Sequence, residues 1–273
     1  MILRREPGMA EDRSVLTRPA PAPDGELRYG PEPDHVADHW RGRPDAPLII
    51  IIHGGFWRPG YDRRHIRPLA TALARTGLNV VSIEYRRVPG APRLATADVA
   101  AALGALPVEL AGEYDGRVVV TGHSAGGHLA LWAAASAPPP GLTATVALAA
   151  VADLALADRL GLDGGAVRDF LGDTPPDGLD PARLPAPARP VVLVHGTADE
   201  IVPLQLSRAY REAHPAARLI DVHGAGHFAL IDPDSTAWPA VSSNLTAPAT
   251  NAEPWRRRPD SSETTGFSDL GRG

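Results

Sequence analysis

Apolar positions fall along the chain in two alternating rhythms. Pro47-Leu48-Ile49-Ile50-Ile51-Ile52 is a continuous β-branched run, the pattern of a strand buried on both faces. Short strands are expected before it, over 27–40, and further strands over 80–85, 118–121, 145–150, 191–194 and 218–222. Between them, helical spacing or alanine-rich composition predicts helices over 62–76, 94–111, 125–137 and 204–213. Strands separated by helices imply a doubly wound α/β fold: a mostly parallel sheet flanked by helices, with right-handed crossovers.

The rhythm fails in three places. Residues 1–24 carry prolines and charges without period and read as a flexible leader. Over 155–187 Gly, Asp and Pro interrupt the strands, where a lid over the strand ends and a plain surface connection fit equally. From Ala247 to the last residue the chain is polar, and 247–273 reads as a disordered tail. The span 25–246 is then a single domain, in keeping with a chain of 273 residues.

Composition narrows the chemistry. There is no cysteine, which removes disulfides, thiolate zinc sites and thiol nucleophiles. The formal charge of −5, with the arginines scattered, gives no footprint for nucleic acid or an anionic membrane. No apolar leader or long apolar span stands out, so the expected location is the cytoplasm, with no membrane partner. The histidines and carboxylates lack the spacing of a hydrolytic zinc site, and no metal or other cofactor is expected.

The strongest motif is Gly122-His123-Ser124-Ala125-Gly126-Gly127, between a predicted strand and a predicted helix. It reads as a nucleophile elbow: a sharp turn that projects the Ser124 hydroxyl, with glycines where a Cβ would clash. His53-Gly54-Gly55-Phe56-Trp57 follows the buried strand, where an oxyanion hole belongs, and the N–H groups of Gly55, Phe56 and Ala125 are the candidate donors. His53 itself reads as a support of that loop. Phe56 and Trp57 either line a substrate pocket or cap the core.

A loop after a later strand supplies Asp199 as the candidate acid, with Glu200 and Asp153 as rivals. His227, in His223-Gly224-Ala225-Gly226-His227-Phe228, is the candidate base, and His223 reads as a packing residue. His65, His128 and His214 read as exposed helix positions.

Across residues 25–245 these motifs resemble the α/β-hydrolase superfamily, whose chain order is Ser, Asp, His. His53-Gly54-Gly55 followed by Gly122 to Leu129 is similar to the esterases related to hormone-sensitive lipase and to the kynurenine formamidases. The Phe56-Trp57 pair, in place of a third glycine, is closer to the formamidases. Glu84-Tyr85-Arg86-Arg87 resembles a Tyr-Arg element after the fourth strand in those families, which implies a brace for the oxyanion loop.

The resemblance implies a serine hydrolase acting on a small-molecule ester or amide, such as a carboxylic ester or aryl formamide, through an acyl-enzyme, and is compatible with a homodimer. The alternatives are a serine peptidase of the prolyl-oligopeptidase type and a non-catalytic binding module on the same fold.

Overall fold

The apolar run after Pro47 forms the strand β3 (Leu48–Ile52), and its side chains divide between two cores as the pleat requires. Leu48, Ile50 and Ile52 pack into one apolar cluster, Ile49 and Ile51 into the other, and each is at most 1% exposed. At roughly 1.5–3 kcal/mol per buried large aliphatic side chain, this strand is a major source of stability.

A computed structural model describes residues 11–250. In chain order the other strands are β1 (Gly25–Arg28), β2 (Val36–Trp40), β4 (Asn79–Ile83), β5 (Val118–His123), β6 (Leu142–Leu148), β7 (Val191–Gly196) and β8 (Arg218–Val222). The helices are α1 (Arg67–Ala74), α2 (Pro92–Glu109), α3 (Ala125–Ser136), α4 (Leu154–Arg159), α5 (Ala166–Leu171), α6 (Gln205–Ala213) and α7 (Trp238–Thr250).

The strands form one sheet in the order β1-β2-β4-β3-β5-β6-β7-β8. β1 and β2 pair antiparallel and β2 pairs antiparallel with β4, while the remaining pairs are parallel. Ile50 faces Val81 on one side and Val120 on the other. On one face α2 and α3 contribute Leu103, Leu106 and Leu129 to the first cluster. On the other, α1 and α7 contribute Leu69, Leu73, Val241 and Leu245 to the second. This is the expected doubly wound, mostly parallel architecture.

Leaving β3, the chain builds β4 on one side and then crosses to β5 on the other. At such a switch point the C-terminal ends of the strands diverge and leave a crevice. The loop after β3 and the turn after β5 meet there.

Several expectations need correction. The leader expected to be flexible through residue 24 is anchored within its described part: Val15, in a 3-10 turn Ser14–Leu16, is 1% exposed within the second cluster. The polar tail expected from 247 begins inside α7; the rest of that tail, 251–273, and leader residues 1–10 lie outside the described residues. The helix predicted over 62–76 is a 3-10 turn Arg63–Ile66 followed by α1. Segment 155–187 contains most of α4, all of α5 and two 3-10 turns.

Candidate active site

Ser124 joins β5 to α3 with φ 57° and ψ −120°, a conformation that costs a non-glycine residue about 1–3 kcal/mol. The surroundings enforce it. A Cβ on Gly122 would lie 2.2 Å from the Gly126 carbonyl oxygen, and one on Gly126 would lie 2.1 Å from that of Ile52. The elbow therefore sits directly on the end of β3. The Ser124 N–H donates to the Leu148 carbonyl at 2.9 Å, and the Ser124 carbonyl accepts from Val151 at 3.2 Å.

The loop after β3 turns through three successive positive-φ residues, Gly55 (112°), Phe56 (48°) and Trp57 (56°). Among the described residues, the N–H groups of Gly55, Phe56 and Ala125 donate no backbone hydrogen bond, and Ala125 opens α3, where N–H groups favour negative charge. A Cβ on Gly54 would lie 3.1 Å from the Cβ of Ser124, which measures how closely loop and elbow approach.

Beneath the loop lies the brace expected from Glu84-Tyr85-Arg86-Arg87. The Tyr85 hydroxyl donates to the His53 carbonyl at 3.0 Å, and the His53 ring bridges the Gly54 carbonyl at 2.7 Å and Glu84 at 2.9 Å. Arg87 contacts the same carboxylate, which also accepts the Arg63 N–H at 3.0 Å. Burial alone would raise the Glu84 pKa, but His53, Arg87 and the Arg63 N–H outweigh it and bring it down to about 2. His53 is fully occupied as a support.

On the far side of the crevice, Asp199 Oδ2 meets His227 Nδ1 at 2.7 Å. Its other oxygen accepts the N–H groups of Ile201 at 2.9 Å and Val202 at 2.8 Å. Burial pushes this carboxyl up, yet the contacts with His195 and His227 prevail and hold it well below the ordinary carboxylate range. Of the three carboxylates weighed for this role, only Asp199 touches His227. Glu200 is exposed at the cavity rim, and Asp153 caps α4 by accepting the Leu156 N–H at 2.7 Å.

His223 is exposed. His123 is buried, its ring 4.4 Å from that of His227, and donates to the His227 carbonyl at 3.1 Å. Burial, then the neighbouring His227, push its pKa well down.

Ser124, His227, Gly55 and Phe56 line one cavity of about 350 Å³. Among the described residues Ser124 Oγ makes no hydrogen bond to the imidazole, whose Nδ1 is engaged by Asp199. Arg13 and Leu16 from the N-terminal segment and Leu160 to Asp163 from the 155–187 segment complete the walls.

Trp57, nominated for the substrate pocket, is not among those walls: it is 3% exposed and stacks on Phe170 at 4.4 Å, so its indole belongs to the core. His128 and His214, expected to be exposed, are buried; their rings reach the carbonyls of Leu179 and Pro181 at 2.9 Å each. His65 is half-buried and lines the cavity. Sequence reasoning missed Arg13 and Leu16, which sit in a stretch with no period to mark them.

Among the described residues no helix is long and apolar enough to cross a membrane. A family model described as BD-FAE matches residues 39–150, and one described as TAP-like protein matches residues 170–256. The chain is 32% identical over 225 residues to Esterase LipQ of Mycobacterium tuberculosis, covering 70% of this chain and 52% of that protein. It is 28% identical over 241 residues to Esterase LipC of the same organism, covering 75% and 59%.

It thus spans about half the length of these curated relatives. Among solved structures, a truncated carbohydrate esterase from gut microbiota superposes with a TM-score of 0.71 at 20% identity, over 85% of this chain and 100% of that one. Esterase B from Lactobacillus rhamnosis, inhibited by a tributyrin phosphonate, gives 0.68 at 22% identity, over 84% and 86%. Sheet order, strained elbow and these likenesses agree: the chain has the α/β-hydrolase fold.

Proposed function

We propose that this chain is a serine hydrolase that cleaves a carboxylic ester of a small molecule through an acyl-enzyme intermediate. The observation that carries the reading is the meeting of Ser124 and His227 in one cavity, with Asp199 on the far nitrogen of the imidazole at 2.7 Å. The esterase relatives point the same way.

In this mechanism His227 Nε2 takes the Ser124 proton as Oγ attacks the ester carbonyl carbon. Negative charge gathers on the carbonyl oxygen and is received by the N–H groups of Gly55, Phe56 and Ala125, a role supported by their donating to no backbone carbonyl among the described residues. Collapse expels the alcohol, which leaves with the proton from His227, and the acyl group stays on Ser124. Water then attacks the acyl carbon and gives a proton to His227; the second tetrahedral intermediate collapses as His227 returns that proton to Ser124 Oγ, which releases the carboxylic acid and restores the free serine. Asp199 fixes the tautomer and stabilises the imidazolium formed in both steps. A cavity of about 350 Å³ is at the small end of ligand pockets, which suits a short acyl chain.

An aryl formamide requires the same machinery and differs in its formyl acyl group and its arylamine leaving group, and Phe56 at the cavity wall is the feature that favours it. The test compares short p-nitrophenyl esters with an aryl formamide, using the wild type and Ser124→Ala. Ester turnover is expected in the wild type only. Near-wild-type turnover by the alanine variant would remove Ser124 from the mechanism, and preference for the formamide by orders of magnitude would reassign the substrate.

A further inference from the structure

His227 lies on a turn after β8, and two contacts to that turn come from the far end of the chain. The His227 backbone N–H donates to the Glu11 carboxylate at 2.7 Å. Seven residues later, Arg18 makes a bidentate pair with Asp232, at 2.5 and 2.8 Å, and a third bond to Asp234 at 2.7 Å. Between these two anchors Val15 is buried in the cluster that also holds Phe228, Leu230 and Ile231. The segment 11–18 therefore spans the turn that carries the imidazole, fastened to its beginning and its end.

The buried carboxylates Glu84 and Asp38 are internal braces. Glu84 ties the oxyanion loop, and Asp38 joins Arg63 and Arg67 to β2. Glu11 differs because its carboxylate reaches the main chain of the candidate base itself.

Sequence and geometry agree on how closely it fits. Gly226 precedes His227, and a Cβ there would fall 2.5 Å from Glu11 Oε2. The glycine leaves the space that the carboxylate occupies. A bond to the backbone N–H fixes where the His227 Cα sits, while Asp199 at Nδ1 fixes how the ring is turned. Together they determine the position of Nε2, the atom that must reach Ser124.

We propose that Glu11 is a positioning residue for His227 and that the N-terminal segment 11–18, clamped by Arg18, is a working part of the active site. This rests on the proposal that Ser124 and His227 perform acyl transfer. Misplacement of a catalytic group by about 1 Å costs on the order of 100-fold in rate, so loss of the Glu11 contact acts on kcat more than on KM.

The experiment uses the full chain with Glu11→Ala, Glu11→Gln and Ser124→Ala, and reads two quantities. The first is ester hydrolysis. Glu11→Ala is expected to lower kcat roughly 10- to 100-fold with KM within about threefold, and Glu11→Gln, whose amide oxygen still accepts the N–H, is expected to recover most of it. The second is amide hydrogen exchange over residues 224–230, which does not depend on activity and is expected to speed up in Glu11→Ala alone.

Unchanged kcat and unchanged exchange in Glu11→Ala would overturn the proposal. So would a loss of thermal stability with kcat intact, since Glu11 would then only fasten the terminus. Activity retained by Ser124→Ala would instead indict the acyl-transfer reading, and the exchange data would still report on the Glu11 contact.

Discussion

Ser124 and His227 face one another across the crevice, yet their positions depend on different kinds of constraint. On the serine side the constraint is backbone against backbone: Gly122 and Gly126 have no room for a Cβ, and three positive-φ residues follow β3. On the histidine side it is side chains from distant segments, with Asp199 on the ring, Glu11 on the N–H, His123 under the carbonyl and Arg18 at the end of the turn. Steric constraint leaves no soft mode, whereas a turn held by separable hydrogen bonds loses position one contact at a time. Perturbing the first half should remove the fold, and perturbing the second should lower the rate with the fold intact.

The largest effect is therefore expected from Gly126→Ala. Its Cβ would sit 2.1 Å from the Ile52 carbonyl oxygen, backbone that cannot yield without moving β3. Several kcal/mol of destabilisation is expected from overpacking and strain of this kind (~3 kcal/mol or more), seen as little soluble protein and no activity. Asp199→Asn should come next, with kcat down by roughly 10⁴ because the imidazole is left in the wrong tautomer, and with a native circular dichroism spectrum. A misfolded Asp199→Asn beside a folded Gly126→Ala would reverse the comparison.

How much of this was legible in the sequence follows the same division. β3, the elbow and the glycine loop were readable because their requirements are local: β-branched residues for a doubly buried strand, glycines where chains approach. The segment 11–18 was not. Its single buried anchor, Val15, is surrounded by Asp12, Arg13, Ser14 and Thr17, and the partners of Glu11 and Arg18 lie on the distant turn at 227–234.

α7 was hidden by its prolines. Pro239 falls in its first turn, where a missing N–H is tolerated, and Val241 and Leu245, four residues apart, carry the buried face. His128 and His214 were misread because helix position alone says nothing about what covers a side chain. In each case a carbonyl of the 179–181 segment accepts from the ring Nε2. Trp57 went to the core because Phe170, from a segment with no sequence signal, stacks on it.

Tyr85→Phe probes the serine side more gently. It leaves the His53 carbonyl without its hydroxyl donor at 3.0 Å, and a stability loss of about 1–3 kcal/mol by chemical denaturation is expected, with a smaller fall in kcat than Asp199→Asn produces.

The smallest effect is a pH dependence. Burial holds His128 and His65 at a pKa of about 4, below the 6.5 of an exposed histidine. The unfolded chain thus takes up protons first, and stability should decline as pH falls from 6.5 to about 4. Glu84 and Asp199, whose pKa values are lowered, add a second loss as pH falls below the usual carboxylate range. His128→Gln should flatten the first of these slopes, measured as denaturation midpoints at pH 7 and pH 4.5; an unchanged slope would show that His128 is not held neutral.

The most direct measurement of the central claim is intact-mass analysis of the protein after reaction with a fluorophosphonate, with peptide mapping of the adduct. One phosphonyl group on Ser124, with labelling slowed in Asp199→Asn, is the expected result, since only a serine activated by its histidine reacts in this way. No adduct, or an adduct on another serine while ester hydrolysis continues, would contradict the assignment of Ser124 at the β5–α3 elbow as the nucleophile.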